Sequence, residues 1–201
     1  MDRLEIFKTE LEYIKNPKIK EFTEKALLEI PEYIFKVAAS STGRYHPSFS
    51  LGDGGLIRHI QVAVRIAVDI LSLEMFKKYS DDEKDIIISA LILHDCAKKG
   101  IPETKYTITE HPLVMADFIE NNPKLNNILD KEMLHKLLDC IRTHMGEFNK
   151  DFKTKKEVLP KPKNRLQNLV HLADYLSSRK YFDSFNFSVN IPRERNTNIN
   201  I

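Results

Sequence analysis

The run Ala90-Leu91-Ile92-Leu93-His94-Asp95-Cys96-Ala97-Lys98-Lys99-Gly100 ends an apolar helix in an adjacent imidazole and carboxylate. Upstream, Ile86, Ile87, Ile88, Leu91, Ile92 and Leu93 are apolar on every side of a 3.6-residue wheel, a pattern that fits only the middle of a core. Other elements must therefore wrap around this helix. An ionised Asp95 in such a core loses several kcal/mol of hydration unless a cation or strong hydrogen bonds replace the water. A divalent metal is the simplest replacement, although a buried His-Asp pair can also satisfy each other.

The rest of the chain reads as helix. Six Gly, no Trp and long stretches rich in Ile, Leu, Lys and Glu with little strand-like alternation predict an all-α fold, a compact helical bundle. With 201 residues the chain suits one domain, 1–201, with a helical scaffold at 1–39, a core at 40–183 and a mobile tail at 184–201. Leu4, Phe7, Leu11 and Ile14 share a face of a first helix over 3–16, stopped by Asn16-Pro17. A second run, Ile19 to Ile30, ends at Pro31, and a short third covers Tyr33 to Ala39. From Leu56 to Leu73 a stripe of His59, Val62, Ala63, Ile66, Ile70 and Leu73 turns His59 inward. Ser80 and Glu83 form a capping box that opens the central helix, which is expected to run to Lys98-Lys99 and stop at Gly100. Pro112 fits the first turn of a helix begun at Glu110-His111. Between Asp130 and His144 the inward stripe is Leu134, Leu137, Ile141 and His144, with His135 facing water. The last helix spans about Asn164 to Tyr181 and carries Asp174 beside Leu169, Val170 and Ala173.

His59, then His94-Asp95, then Asp174, with Lys98 completing His-Asp-x-x-Lys, form an ordered set on three helices. That set resembles the HD superfamily of metal-dependent phosphohydrolases, over roughly residues 40 to 180. The resemblance implies that His59, His94, Asp95 and Asp174 hold one divalent metal. His111, before a Pro at a helix start, and His144, at a helix end, are similar to the extra histidines of two-metal members, with Asp95 bridging. The alternative for these two is a supporting role, orienting water or ligands. The single His144 and the missing Gly-Tyr-Pro signature separate the chain from the cyclic-dinucleotide phosphodiesterase branch. Asp95 and Lys98 are the expected catalytic groups, and Lys98, Arg179 and Arg44 the expected phosphate contacts. Arg44 lies with Tyr45 and His46 in an irregular Ser40–Gly55 loop, which can equally be an ordinary surface loop. His171, three residues before Asp174, is either a support for the ligands or plain surface.

Four imidazoles and two carboxylates make a mixed nitrogen and oxygen set suited to one or two divalent ions: Mn, Fe, Co, Ni, Zn or Mg. Such an ion makes water nucleophilic near neutral pH and stabilises charge on phosphorus. The reaction expected is hydrolysis of a phosphoester or phosphoanhydride. The resemblance makes a nucleotide or another phosphorylated small molecule the partner, for a nucleotidase, a dNTP hydrolase or a dinucleotide hydrolase. The alternatives are a 3′-5′ exoribonuclease and an inactive HD module that only binds and signals. Net charge is 31 − 29 = +2, which favours neither nucleic acid nor membrane. RNA is left to the basic Lys150–Arg165 segment, which lacks an aromatic stacking series and reads more simply as a solvated linker. No apolar run is long enough to cross a bilayer, and Cys96 and Cys140 show neither paired nor metal-type spacing, so a cytoplasmic protein is expected. Homo-oligomer contacts through the tail are an open expectation.

Overall fold

The computed structural model describes residues 2–125 and 127–184. Among them are eight α-helices: α1 (Arg3–Ile6), α2 (Lys8–Glu12), α3 (Pro17–Glu29), α4 (Gly55–Ser72), α5 (Asp81–Leu93), α6 (His111–Glu120), α7 (Lys131–Thr143) and α8 (Arg165–Ser177). No strand occurs among the described residues, and no helix is long and apolar enough to cross a membrane. The tail expected at 184–201 lies outside the described residues beyond Ser184.

α5 is the axis. Every residue from Asp85 to Leu93 is buried, and α3, α4, α7 and α8 all pack on it. The Ser80–Glu83 capping box closes its N-terminus in both directions. Buried Asp85 accepts from Lys15 N at 2.9 Å and Asn16 N at 2.6 Å, tying the α2–α3 corner to this axis. Ser89 meets Thr23 of α3 at 2.7 Å, so the few polar atoms on α5 are partnered.

Several expected boundaries move. The helix expected over 3–16 is broken at Phe7, which leaves helical geometry at φ −103°, ψ 14° as its ring becomes fully buried. That break swings Arg3 over the end of α3, where its guanidinium donates to the carbonyls of Leu27, Leu28 and Ile30. The third run shrinks to a 3₁₀ turn, Glu32–Phe35. On α4 the buried face is Leu56, His59, Ile60, Ala63, Val64, Ala67 and Leu71, while Leu73 is half-exposed. Ala63 and Ala67 lie in that buried face, whereas Val62, Ile66 and Ile70 of the expected stripe are only partly buried. α8 stops at Ser177 because the Ser177 and Ser178 hydroxyls and Arg179 Nε donate to the carbonyls of its last turn.

The central helix also ends early. α5 closes at Leu93 with His94 as its C-cap, and residues 94–100 continue as turns closed by i→i+3 bonds at Cys96, Lys98 and Gly100. Tyr33 supports this segment: its hydroxyl accepts from Lys99 N at 2.9 Å and donates to Gly100 O at 3.1 Å. Lys98 is thus not on a continuous helical face with His94. The basic 150–165 segment joins α7 to α8 with most of its side chains exposed; its first part closes into a loop on buried Asn149, whose backbone carbonyl accepts from Val158 N and Leu159 N and whose side-chain amide donates to Leu159 O, and Arg165 opens α8.

Candidate metal centre

Six of the singled-out residues come together. His59 is in the first turns of α4, His94 caps α5 with Asp95 beside it, and His111 opens α6. His144 caps α7, and Asp174 is in α8. All four imidazoles and Asp95 are buried, and the Asp174 side chain is 16% exposed, which makes it the edge nearest to solvent.

Each ring is aimed by its Nδ1. Those of His94, His111 and His144 lie 2.6, 2.8 and 2.8 Å from the carbonyl three residues earlier: Leu91, Ile108 and Ile141. A carbonyl only accepts, so each Nδ1 carries the proton, and the neutral ring keeps a lone pair on Nε2. The fourth case is indirect. Ser177 Oγ donates to Asp174 O at 2.7 Å, so toward His59 Nδ1, 3.1 Å away, it acts as acceptor. His59 therefore presents an Nε2 lone pair as well. The same bonds cap the carbonyl ends of α5 and α7, so helix termination and ring orientation are one event.

The Nε2 atoms converge on the carboxylates. His59 Nε2 is 3.0 Å from Asp174 Oδ1 and 3.6 Å from Asp95 Oδ2. His94 Nε2 is 3.6 Å from Asp95 Oδ2 and 3.5 Å from Asp174 Oδ1. On the other side, His111 and His144 Nε2 lie 2.9 and 3.5 Å from Asp95 Oδ1, and 3.2 Å from each other. Asp95 thus turns one oxygen to His59 and His94 and the other to His111 and His144. Three overlapping ligand groups have atoms within 4.8 Å of one another: His59, His94, Asp95; His94, His144, Asp174; and Asp95, His111, His144. His59 Nε2, His94 Nε2 and Asp95 Oδ1 are buried without a properly aligned hydrogen bond. Orphaned buried acceptors are costly, at about 1–3 kcal/mol each, and cations on the two sides of Asp95 would satisfy all of them. The donor set fits a divalent metal.

Charge is unevenly held. For Asp95 burial works to raise the pKa, but Lys98, His94 and the rings of His111 and His144 outweigh it and hold the carboxyl well below the ordinary range. Asp174 follows the same pattern, with His59 and His94 overcoming burial. Burial would lower His94, yet the two carboxylates raise it. Burial, then the Lys98 ammonium, lower His111, and burial brings His144 to about 4.

The expected phosphate contacts divide. Lys98 Nζ lies 2.7 Å from Asp95 Oδ2 with its side chain 11% exposed, so it belongs to the carboxylate network. Arg179, five residues after Asp174, donates to Tyr175 O and Ser178 Oγ with its guanidinium 3.9 Å from the Tyr175 ring centroid, and among the described residues it makes no hydrogen bond or ion pair with the six. Arg44 is exposed in the loop over the Tyr45 ring, and among the described residues its side chain makes no hydrogen bond or ion pair with the six. His46 of the same loop does reach them, its ring edge-on to His59 at 5.2 Å with Nδ1 buried and unpartnered. Burial lowers its pKa to about 3. His135 is exposed. His171 supports a ligand-bearing turn, its Nδ1 2.7 Å from His144 O and its Nε2 2.8 Å from Glu147 Oε2. Ser177 and Tyr33 have supporting roles that carry no sequence signal. A Ser-Ser pair at a helix end and a Tyr in a scaffold segment become informative only through partners 118 and 66 residues away.

The family model described as the HD domain matches residues 52–179, more than half of the chain. No curated protein and no solved structure matches it.

Proposed function

The chain belongs to the HD domain family, and from that membership and the donor set above we propose that it is a metal-dependent phosphohydrolase acting on a nucleotide phosphoester or phosphoanhydride. Family membership supports metal-dependent phosphohydrolysis in general, and the nucleotide is our narrower reading. The observation that carries it is the convergence of four Nε2 lone pairs on the two oxygens of Asp95 and on Asp174.

In this reading His59, His94, Asp95 and Asp174 would hold one ion, and His111 and His144 a second that shares Asp95. A divalent ion in that setting supplies Lewis acidity, making water acidic enough to attack and drawing charge from a phosphoryl oxygen. The protein does the rest. Nδ1 anchoring fixes four rings before substrate arrives, so no ligand has to reorient. Lys98 keeps Asp95 ionised, and reaches a phosphate only by exchanging Asp95 for it. Arg179, held over Tyr175 five residues beyond Asp174, would be the guanidinium that neutralises a phosphate oxygen.

The test is a metal analysis of the purified protein with a phosphate-release screen over nucleoside mono-, di- and triphosphates, cyclic dinucleotides and short RNA. Phosphate released by the metal-loaded protein, and lost together with bound metal in Asp95→Ala, is the expected result. An Asp95→Ala protein that still binds metal normally would refute the ligand assignment. Bound nucleotide with neither metal nor turnover would identify an inactive binding module instead.

A further inference from the structure

Two segments that carry proposed ligands also bear an aromatic residue close behind the ligand in sequence. Phe148 follows His144 by four residues, and Tyr175 follows Asp174 directly. Their rings are inclined by only 10°, with centroids 6.0 Å apart. Arg179 covers Tyr175, whereas Phe148 is 50% exposed. The turn that brings Phe148 there is constructed around one close approach. Gly146 sits at φ +56°, and a Cβ on it would lie 2.3 Å from atoms of the His171 ring. That ring in turn binds His144 O and Glu147 and packs on Tyr175 at 6.2 Å. The contacts that hold His144 in the cluster therefore also set Phe148 against Tyr175.

A half-exposed Phe contributes little as core. Near-parallel rings with a guanidinium over one of them and the Phe148 ring half open form the kind of surface on which a nucleobase lies, since every base has a π-face and guanidinium groups add cation–π attraction. We propose that Phe148 and Tyr175 form a base-stacking subsite of this centre, so that its substrates are phosphoesters bearing a nucleobase, the base on Phe148 and the phosphate turned toward Arg179 and the ligand cluster. The phosphate end of this assignment rests on the hydrolase reading, while the base end is readable by binding alone. Because stacking reads a face and not an edge, the subsite should accept several bases.

The experiment has two arms. In the first, saturation-transfer NMR on the metal-loaded protein uses adenosine, cytidine and ribose, none of which has a phosphate bond to break. Saturation should reach the base protons of both nucleosides and not ribose. It should disappear in Phe148→Ala, fall in Phe148→Leu, which keeps apolar bulk without a π-face, and persist in Phe148→Tyr. In the second arm, KM for AMP should rise about tenfold in Phe148→Ala, while KM for ribose 5-phosphate stays unchanged. Equal nucleoside signals in wild type and Phe148→Ala overturn the subsite, as does a parallel rise in both KM values. If the wild type releases phosphate from neither compound, the hydrolase reading is what suffers, and the nucleoside arm still decides the subsite.

Discussion

Ser177 illustrates how much of the centre depends on atoms outside it. Its hydroxyl is committed as donor to Asp174 O, which leaves only its acceptor side for His59 Nδ1 and so fixes the His59 tautomer. Ser177→Ala should leave the fold intact but let that ring turn and exchange its proton. Metal affinity should then fall about 10- to 100-fold, measured by competition with a chromogenic chelator; unchanged affinity would show that packing alone orients His59. The buried thiols give a second check at this scale. Burial pushes both Cys96 and Cys140 above the ordinary thiol range. A disulfide reagent at pH 8 should label neither until denaturant is added. The six proposed ligands were singled out because their order along the chain resembles the HD superfamily; a single polar residue on an apolar stripe or at a helix end reads more simply as a satisfied core group. Ser177 was not, because a serine closing a helix is ordinary until its partner 118 residues away is known.

At the scale of elements, starts were more legible than stops. Ser80, Asp130 and Asn164 accept from backbone N–H groups of the turn they open, a local pattern that local sequence reveals. The turns that replace the expected last part of α5 are held from elsewhere, by a Tyr33 hydroxyl that bonds Lys99 N and Gly100 O. Tyr33→Phe removes both bonds from a nearly buried site and should cost about 1–3 kcal/mol, read from the urea midpoint of the metal-free protein. The α7–α8 corner makes a different prediction. Gly146→Ala places a Cβ against the His171 ring in a backbone conformation that L side chains rarely adopt, at a cost of about 1–3 kcal/mol. Combining it with His171→Ala removes the clash and leaves only the backbone penalty. The double variant should therefore be less destabilised than the two single changes summed, and strict additivity would mean that the corner does not depend on this contact.

Across the whole molecule, α4, α5, α6, α7 and α8 each deliver at least one imidazole or carboxylate to a common point, so folding and charge are linked. Burial holds His144 at about 4 and His46 at about 3, and burial with Lys98 lowers His111. In the unfolded chain all three return to about 6.5. Between those values the unfolded state binds more protons than the folded one, so the contribution of these histidines to stability is present above pH 6.5 and shrinks as the pH falls. His94 is shifted upward and acts in the opposite sense, favouring the folded state below pH 6.5. Asp95 and Asp174 titrate well below the ordinary carboxylate range and add nothing to the slope near neutrality. Three of these four shifts act in the same sense, two of them reaching about 4 and about 3. The metal-free protein should therefore lose stability from pH 7 to pH 5, by about 2 kcal/mol for a histidine as deeply shifted as His144. Adding Mn at a concentration 100 times its pH 7 dissociation constant should add about 2.7 kcal/mol at pH 7, and the gain should shrink at pH 5, where protons compete for the same Nε2 lone pairs. Urea midpoints at the two pH values, with and without Mn, measure all four quantities. A metal-free midpoint that stays level or rises toward pH 5 would mean that the cluster folds with its histidines charged, and that the lone pairs do not point inward together.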